Sequence, residues 1–460
     1  MAIAVLEPQK SSKPRIVIVG GGFAGLHAAK GLAKLPVEIV LIDRRNHHTF
    51  QPLLYQVALA VLSPADIAQP IRSILRDKKN IEVLMDEVTG FDLKAKCVKL
   101  ASKIDFEYDY LVLATGATHS YFGHDDWSKI APGLKTVEDA TEIRRRVLLA
   151  FELAERQMVE SGDHPPLNFI IIGGGPTGVE LAGAISDITK IYMLRDFRHI
   201  DPSMSRVMIL EGSPTVLAAY PEDLRKKAVK QLNALGVEVR TGAHVTDVQP
   251  GYVMVGNERI ESVVTLWAAG VQASPLGKLL GVPTDKRGCV IVDEHLNPPG
   301  FPDVFVCGDL AHVEENAQQV PGVAQPAMQM GDHVARMVRQ DLDKKPRPPF
   351  HYFDKGDMAT IGRKAAIAKI EWPFKAHWGG FPAWVTWLVV HIFFLIGFRN
   401  RVFVLFEWAW TYLTSYRGAR LITGSQVLPG WDQQKGAIPE SIPNAEDLTS
   451  PVIEDKAARA

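Results

Sequence analysis

Two glycine-rich turns, Gly20-Gly21-Gly22-Phe23-Ala24-Gly25 and Gly173-Gly174-Gly175-Pro176-Thr177-Gly178, stand in one chain, each directly after a β-branched apolar run. The runs are Arg15 to Val19 and Asn168 to Ile172. The stretches that follow, Leu26 to Leu35 and Val179 to Ile191, are proline-free and rich in alanine, leucine and isoleucine, which predicts strand, turn and helix twice over. A turn without side chains lets a pyrophosphate reach backbone N–H groups, and the helix behind it points its positive end at the phosphates. The expectation is an α/β fold with two Rossmann-like units and two bound dinucleotides. Gly20, Gly22, Phe23, Ala24 and Gly25 form the first cradle, and Gly173, Gly175, Pro176, Thr177 and Gly178 the second.

The strand after such a turn and helix is expected to end in a carboxylate that accepts ribose hydroxyls. The first unit supplies it at Asp43, after Val37 to Ile42 and 18 residues past Gly25. In the second, Val207 to Leu210 ends at Glu211, 33 residues past Gly178. Roughly a dozen extra residues intervene relative to the usual spacing, Arg195 to Ser205 among them. A carboxylate at Glu211 repels a 2′-phosphate, so the second nucleotide is expected to be NAD(H) and not NADP(H).

Composition narrows the class. With 51 basic against 52 acidic residues the chain offers no positive field to nucleic acid. Cys97, Cys289 and Cys307 are odd in number and far apart, which argues against a disulfide framework, a zinc site or a vicinal redox pair and fits a reducing compartment. Met1 to Pro14 lacks an apolar core of signal-peptide length and reads as a short flexible tail, so the chain is expected to stay on the cytoplasmic side. Gln426 to Ala460 is polar and proline-punctuated and reads as loosely ordered.

Tyr110 to Gly116 (YLVLATG) reads as a buried strand ending in a tight turn, and Val304 to Asp309 (VFVCGD) as another ending in a carboxylate. Each end could be turn chemistry alone, although a charge that closes a buried strand needs a partner. Together with the two fingerprints, these strings resemble the flavoproteins with two dinucleotide-binding domains and a glutathione-reductase-like fold. The resemblance implies FAD on the first fingerprint, with Thr115, Gly116, Asp309, Val88 and Ala327 against it, and NADH in an inserted second domain with Gly270 beside it. The chain then divides into a tail (1–13), an FAD-binding segment (14–134), an NADH-binding domain (135–275), a second FAD-binding segment (276–345), a C-terminal membrane-binding region (346–425) and a polar tail (426–460).

Disulfide reductases of this architecture carry a cysteine pair after the first ribose-acid strand, where this chain has Asn46 to Ala58 (NHHTFQPLLYQVA), so electrons must leave by another acceptor. Adjacent His47 and His48 point apart and have no carboxylate spaced to help, so they read as polar loop residues and no metal site is expected. Nothing near Cys307 in sequence would lower its pKa, and it reads as a buried strand residue.

The C-terminal third suggests the acceptor. Trp372 to Tyr416 holds 15 of the 38 aromatic residues, six of the nine tryptophans among them. Phe381 to Phe398 is an 18-residue stretch whose only ionisable group is His391, which reads as a tolerated polar spot. A second run, Val402 to Leu413, is interrupted by Glu407. The first just reaches the length of a membrane span and the second does not, so a helical hairpin lying in the interface is favoured over a crossing, with a dimer core as the remaining reading. Arg399, Arg401, Arg417 and Arg420 are then expected to reach lipid phosphates from a surface formed by residues 381–416.

Several strings together resemble the type II NADH:quinone oxidoreductases, from about Arg15 to Thr423: Gly173 to Glu180 (GGGPTGVE), Arg195 to Pro202 (RDFRHIDP), Ala324 to Gln329 (AQPAMQ), Met358 to Arg363 (MATIGR), and Leu395 to Arg401 (LIGFRNR) followed by Trp408. The resemblance implies oxidation of NADH by FAD and two-electron reduction of a membrane quinone without proton pumping, at the cytoplasmic face of the inner (plasma) membrane, by a peripheral homodimer. It places Gln325 and Gln329 against flavin and quinone and Glu180 on the nicotinamide side, with Glu180 and Gln325 as the catalytic candidates. From residue chemistry alone, Gln325 is equally explained by packing at the helix start beside Pro326. The alternatives weighed are a sulfide:quinone oxidoreductase, which needs cysteines facing the flavin, and a nucleotide-binding redox sensor, in which turnover is incidental. A soluble reductase serving a ferredoxin-like protein is disfavoured by the tryptophan-rich region.

Overall fold

The computed structural model describes residues 13–414, 418–424 and 428–429. The tails expected at 1–13 and 426–460 lie almost wholly outside these residues, as does Arg417. The strand Arg15–Val19 is buried along nearly its whole length, as a strand covered on both faces must be. It is the middle of a five-stranded parallel sheet ordered Val304–Val306, Tyr110–Leu113, Arg15–Val19, Glu38–Asp43, Ile81–Met85. The winding reverses at Arg15–Val19, and such a switch point leaves a crevice at the carboxyl ends of the strands. A second parallel sheet, Val237–Thr241, Arg206–Glu211, Asn168–Ile172, Val264–Trp267, repeats the plan and switches at Asn168–Ile172.

The first sheet is completed by Val304–Val306 only after the whole second sheet has formed, so the second unit is an insertion in the first. The chain leaves and returns through one antiparallel ribbon, Ala117–His119 paired with Val271–Ala273. Tyr121, Trp127 and Ala131 already pack against Ile170, Met208 and Trp267 of the second sheet. Residues 120–134 therefore sit with the second unit by packing, ahead of the boundary read at 135.

The helix Val137–Ser161 starts on a capping box of Thr136 and Asp139 and stops at left-handed Gly162. Its apolar face joins the short helix Leu54–Ala58 to the underside of the second sheet in a common core. Arg144 is buried in that joint, its Nε donating to the Val57 carbonyl at 2.8 Å and Nη2 to that of Leu62 at 2.7 Å. Burial pulls the guanidinium pKa down to about 10, and the cation lies on carbonyls at the end of Leu54–Ala58, where a helix favours positive charge. On the other side, the helix Phe23–Leu32 crosses Ala324–Leu342 in near contact: a Cβ on Gly331 would lie 2.2 Å from the Ala24 carbonyl oxygen.

The C-terminal region is a three-stranded antiparallel sheet, Gly356–Thr360, Ala366–Ile370 and Ala376–Gly379, followed by two helices, Phe381–Phe394 and Phe398–Thr414. The 18-residue apolar stretch is thus not one helix. Leu395 turns extended and Gly397 takes φ +89°, leaving a 14-residue helix roughly 20 Å long, short of the ~30 Å hydrocarbon layer. Among the described residues no helix is long and apolar enough to cross a membrane.

Replacing Gly331 by valine is expected to lower stability by about 1–3 kcal/mol, because neither helix can yield to a side chain at the crossing. Chemical denaturation of the two proteins checks this; an unchanged midpoint contradicts the close packing.

Candidate active site

The two glycine turns are built alike, atom by atom. A Cβ on Gly25 would stand 1.8 Å from the Gly20 carbonyl oxygen, and one on Gly178 would stand 1.9 Å from that of Gly173. Gly20 (φ +105°) and Gly173 (φ +109°) lie against the backbone of Ala114 and Ala268, which end the neighbouring strands. Gly22 and Gly175 differ from these in facing outward: each begins a helix with extended backbone, and the nearest atom to an added Cβ is 4.0 Å away at Gly22, with none within 4 Å at Gly175. Glycine is needed there for something that approaches from outside the protein, and this geometry fits a pyrophosphate on each helix start.

The acids close the two cradles in the same way. Asp43 Oδ2 accepts the Gly21 amide at 2.6 Å and Oδ1 that of Arg45 at 2.7 Å. Glu211 Oε2 accepts the Gly174 amide at 2.6 Å and Oε1 that of Ser213 at 2.7 Å. The extra residues before Glu211 are absorbed by turns and a short 3-10 helix, Pro202–Met204, and leave its position unchanged.

Around the first cradle the predicted residues converge. A Cβ on Gly308 (φ +72°) would touch Ala24 and Ala327, both at 3.5 Å, so the first turn, the Gly308-Asp309 corner and the Ala324–Leu342 helix meet there. Gly116 follows Ala114 with φ +66°, and Thr115 Oγ1 is buried with no partner. Asp309 finds its counter-charge in Lys135, at 3.6 Å, a residue the sequence reading did not single out. Val88 is buried in a separate small sheet with Cys97–Leu100. In the second unit, Gly270 lies under the ring of Phe122, whose Cζ would be 2.7 Å from a Cβ there.

The glutamines part company. Gln325 Nε2 donates to the Gly356 carbonyl at 2.9 Å while its Oε1 is buried and unpartnered, the state of a group left for a ligand. Gln329 has both ends taken by the Phe353 backbone, at 3.0 and 2.9 Å, so its amide ties the helix to the following segment and is not turned toward a ligand. Glu180, on the helix Pro176–Asp187, is half-buried, and desolvation pushes its pKa up to about 8 against the opposing pull of the Thr360 amide.

The histidine pair departs from the loop reading. His47–Thr49 pairs with Ala68–Pro70 as strands, and buried His48 bonds the Gly21 carbonyl through Nδ1 at 3.0 Å with its ring edge-on to Phe23. Burial holds His48 neutral, its pKa pulled down to about 4. His391 likewise stacks on Trp387 at 4.1 Å and bonds the Trp387 carbonyl, with its pKa pulled down to about 4 by burial. Arg420 is also placed otherwise than expected. It pairs with Asp196 and the Tyr192 carbonyl of the second unit.

A cavity of about 390 Å³ lies between the two ends of this assembly. Phe23, Leu26 and Lys30 of the first helix, His48, and Met328, one turn past Gln325, form one wall. Phe393, Phe394, Ile396 and Arg401, from the junction of the C-terminal helices, form the other. No thiol of the chain is activated: burial pushes Cys307 up to about 12, where its Sγ faces the Leu113 carbonyl, and Cys97 and Cys289 are also raised by desolvation.

A family profile described as pyridine nucleotide-disulphide oxidoreductase matches residues 14–331, and one described as the NDH2 C-terminal domain matches residues 355–416. The type II NADH:quinone oxidoreductase Ndh of Mycobacterium tuberculosis is 43% identical over 434 residues, covering 91% of this chain and 92% of the relative. The chain belongs to the type II NADH:quinone oxidoreductase family. It is therefore an enzyme of the NADH dehydrogenase type. NDH2 from Plasmodium falciparum, solved in complex with NADH, shares the fold at TM-score 0.78 and 19% identity, covering 90% of this chain and all of that one. The sulfide:quinone oxidoreductase of Aquifex aeolicus shares it at TM-score 0.68 and 19% identity, covering 84% and 92%. The fold alone does not separate the family from that rival. The 43% identity to the mycobacterial enzyme and the match to the NDH2 C-terminal domain do.

Gly25→Ala is expected to abolish retention of a flavin, whereas Gly178→Ala is expected to keep the flavin and weaken NADH binding at least tenfold, since each Cβ enters a different cradle. Absorbance of the purified variants with an NADH titration distinguishes them, and equal flavin content in wild type and Gly25→Ala contradicts the assignment.

Proposed function

We propose that the chain is a membrane-peripheral NADH:quinone oxidoreductase with FAD, held non-covalently, in the first cradle and NADH in the second. Supporting this are the open faces of Gly22 and Gly175, the matched acids Asp43 and Glu211, and the unpartnered Thr115 Oγ1 and Gln325 Oε1 in the first unit. Once bound, FAD supplies hydride acceptance from NADH and two-electron delivery to a quinone.

The protein's part is to position and insulate. Glu211 takes the place of a ribose acid in the second unit and favours NADH over NADPH by charge. Glu180 carries its proton at neutral pH, so it presents a neutral donor and adds no negative charge beside the dinucleotide. Lys135 neutralises Asp309 at the first cradle. Gln325, anchored to Gly356, offers its unpartnered Oε1 to a ligand.

The observation that carries the quinone reading is the apolar cavity, which runs from Phe23 and Met328 beside the first cradle to Phe393 and Ile396 at the C-terminal helices. Its volume suits a quinone ring. Beyond it, Val389, Phe393, Phe398, Phe406 and Leu413 are 60–83% exposed on the two helices. Arg399 lies over Phe403 at 4.7 Å. This is the surface of an in-plane membrane platform, aromatic and cation-edged. The membrane in this reading is the inner (plasma) membrane, approached from its cytoplasmic face, with a second copy paired through the C-terminal region. The reaction is non-electrogenic, since a proton path across a bilayer needs spanning helices with buried ionisable groups.

The deciding experiment is anaerobic titration of the purified, yellow protein with NADH, followed by a short-chain quinone. Bleaching and then quinone-dependent return of the absorbance are expected; bleaching without return supports the redox-sensor alternative. The platform is tested separately with Val389→Glu, Phe406→Glu and Leu413→Glu combined. These carboxylates lie on the outer face only, and loss of phospholipid-vesicle binding with NADH bleaching retained is the expected result. Undiminished vesicle binding rejects the platform.

A further inference from the structure

The cradle-side glutamate and the outer helix Phe398–Thr414 are joined by a run of buried hydrogen bonds that the reaction as described does not use. Trp408 Nε1 donates to Gln56 Oε1 at 2.7 Å, and Gln56 Nε2 donates to the Tyr55 hydroxyl at 3.0 Å. Thr360 Oγ1 donates to the same hydroxyl at 2.9 Å, while the Thr360 backbone amide faces Glu180. Gln56, Tyr55 and Thr360 are all buried, and Trp387 lies edge-on to Tyr55 at 6.4 Å and against Trp408 at 5.7 Å, closing the link off from water.

A buried amide, phenol or hydroxyl without a partner is costly, so each of these groups holds the next in a single arrangement. The Tyr55 hydroxyl accepts from two sides at once, which fixes it between Thr360 and Gln56. Thr360 in turn uses its side chain on Tyr55 and its amide on Glu180, so the backbone that faces the carboxyl is held by the phenol.

We propose that Tyr55 is a positioning residue for Glu180, acting through Thr360, and that the Gln56–Trp408 link makes the proton affinity of Glu180 depend on the seating of the outer helix. The inference rests on the reading of Glu180 as the proton-carrying group at the nicotinamide side and adds the residues that set it. The titratable groups acting near the carboxyl are Tyr55 from the helix Leu54–Ala58 and Tyr220 from the loop ahead of Glu222–Ala234. Asp187 from its own helix bears on Tyr55, and Asp357 from the strand Gly356–Thr360 bears on Tyr220. No cation acts on Glu180, so its proton affinity is set by enclosure and by Thr360. The sign follows. A carboxyl raised to about 8 is protonated below that pH and ionises through it; the Thr360 amide favours the ionised form, so releasing that amide moves the midpoint further up.

The test is a pH titration of the protonated-carboxyl C=O band by infrared difference spectroscopy on the full-length protein, with Glu180→Gln identifying the band. Tyr55→Phe keeps its ring and deletes only the O–H, while Trp408→Phe removes the N–H together with part of the indole, and each is expected to raise the midpoint by about one pH unit. Should Tyr55→Phe fail to fold, Trp408→Phe reads the same quantity from the far end of the link. A band removed by Glu180→Gln whose midpoint stays put or falls in both variants overturns the link alone. A spectrum in which Glu180→Gln removes no titrating band overturns both the link and the role given to Glu180.

Discussion

The site depends on a steric condition met twice, that the third glycine of each turn lies under 2 Å, measured from a would-be Cβ, from the carbonyl oxygen of the first. Only a chain without side chains at both points lets the helix fold back so tightly on the strand that feeds it. That closeness aims the helix start at the crevice where the strand order reverses. The neighbouring strands contribute the other jaw, with Ala114 and Ala268 pressed on Gly20 and Gly173. The acids Asp43 and Glu211 then lock the second glycine of each turn through its amide, so turn and acid are a single rigid piece.

This condition is local, and for that reason it was legible in the sequence. Both sheets, both cradles and both acids could be read from spacing and residue type, and Glu211 holds its place despite the long insert because the strand register, not the loop length, positions it. What escaped was set by contacts distant in the chain. His48 looked like loop because nothing nearby announces its pairing with Gln69 or its bond to Gly21. Gln329 shares a helix with Gln325 yet is claimed by the Phe353 backbone, and Arg420 is claimed by Asp196. One missed feature did carry a signal. Gly397 interrupts the apolar stretch, and with extended Leu395 its positive φ shapes the turn that splits into two helices what length alone had nearly promoted to a span.

The two units differ in chemistry as much as they agree in geometry. Near the second cradle desolvation raises the pKa of a half-buried carboxyl; beside the first, a lysine offsets an aspartate and a glutamine leaves an oxygen free. Such a division lets one face handle a charged, water-soluble reductant while the other opens toward an apolar cavity.

The inner side of the C-terminal helices has a bearing on how such chains diverge. Trp387, Leu395 and Val404 are members of the main core, and Asn400 and Trp408 bond to Ala65 and Gln56 of the first unit. An element so built in cannot be exchanged or shed like an appended anchor. Its outward residues are exposed and leave room for another greasy side chain, while the inward ones are tied to the nucleotide-binding body they complete.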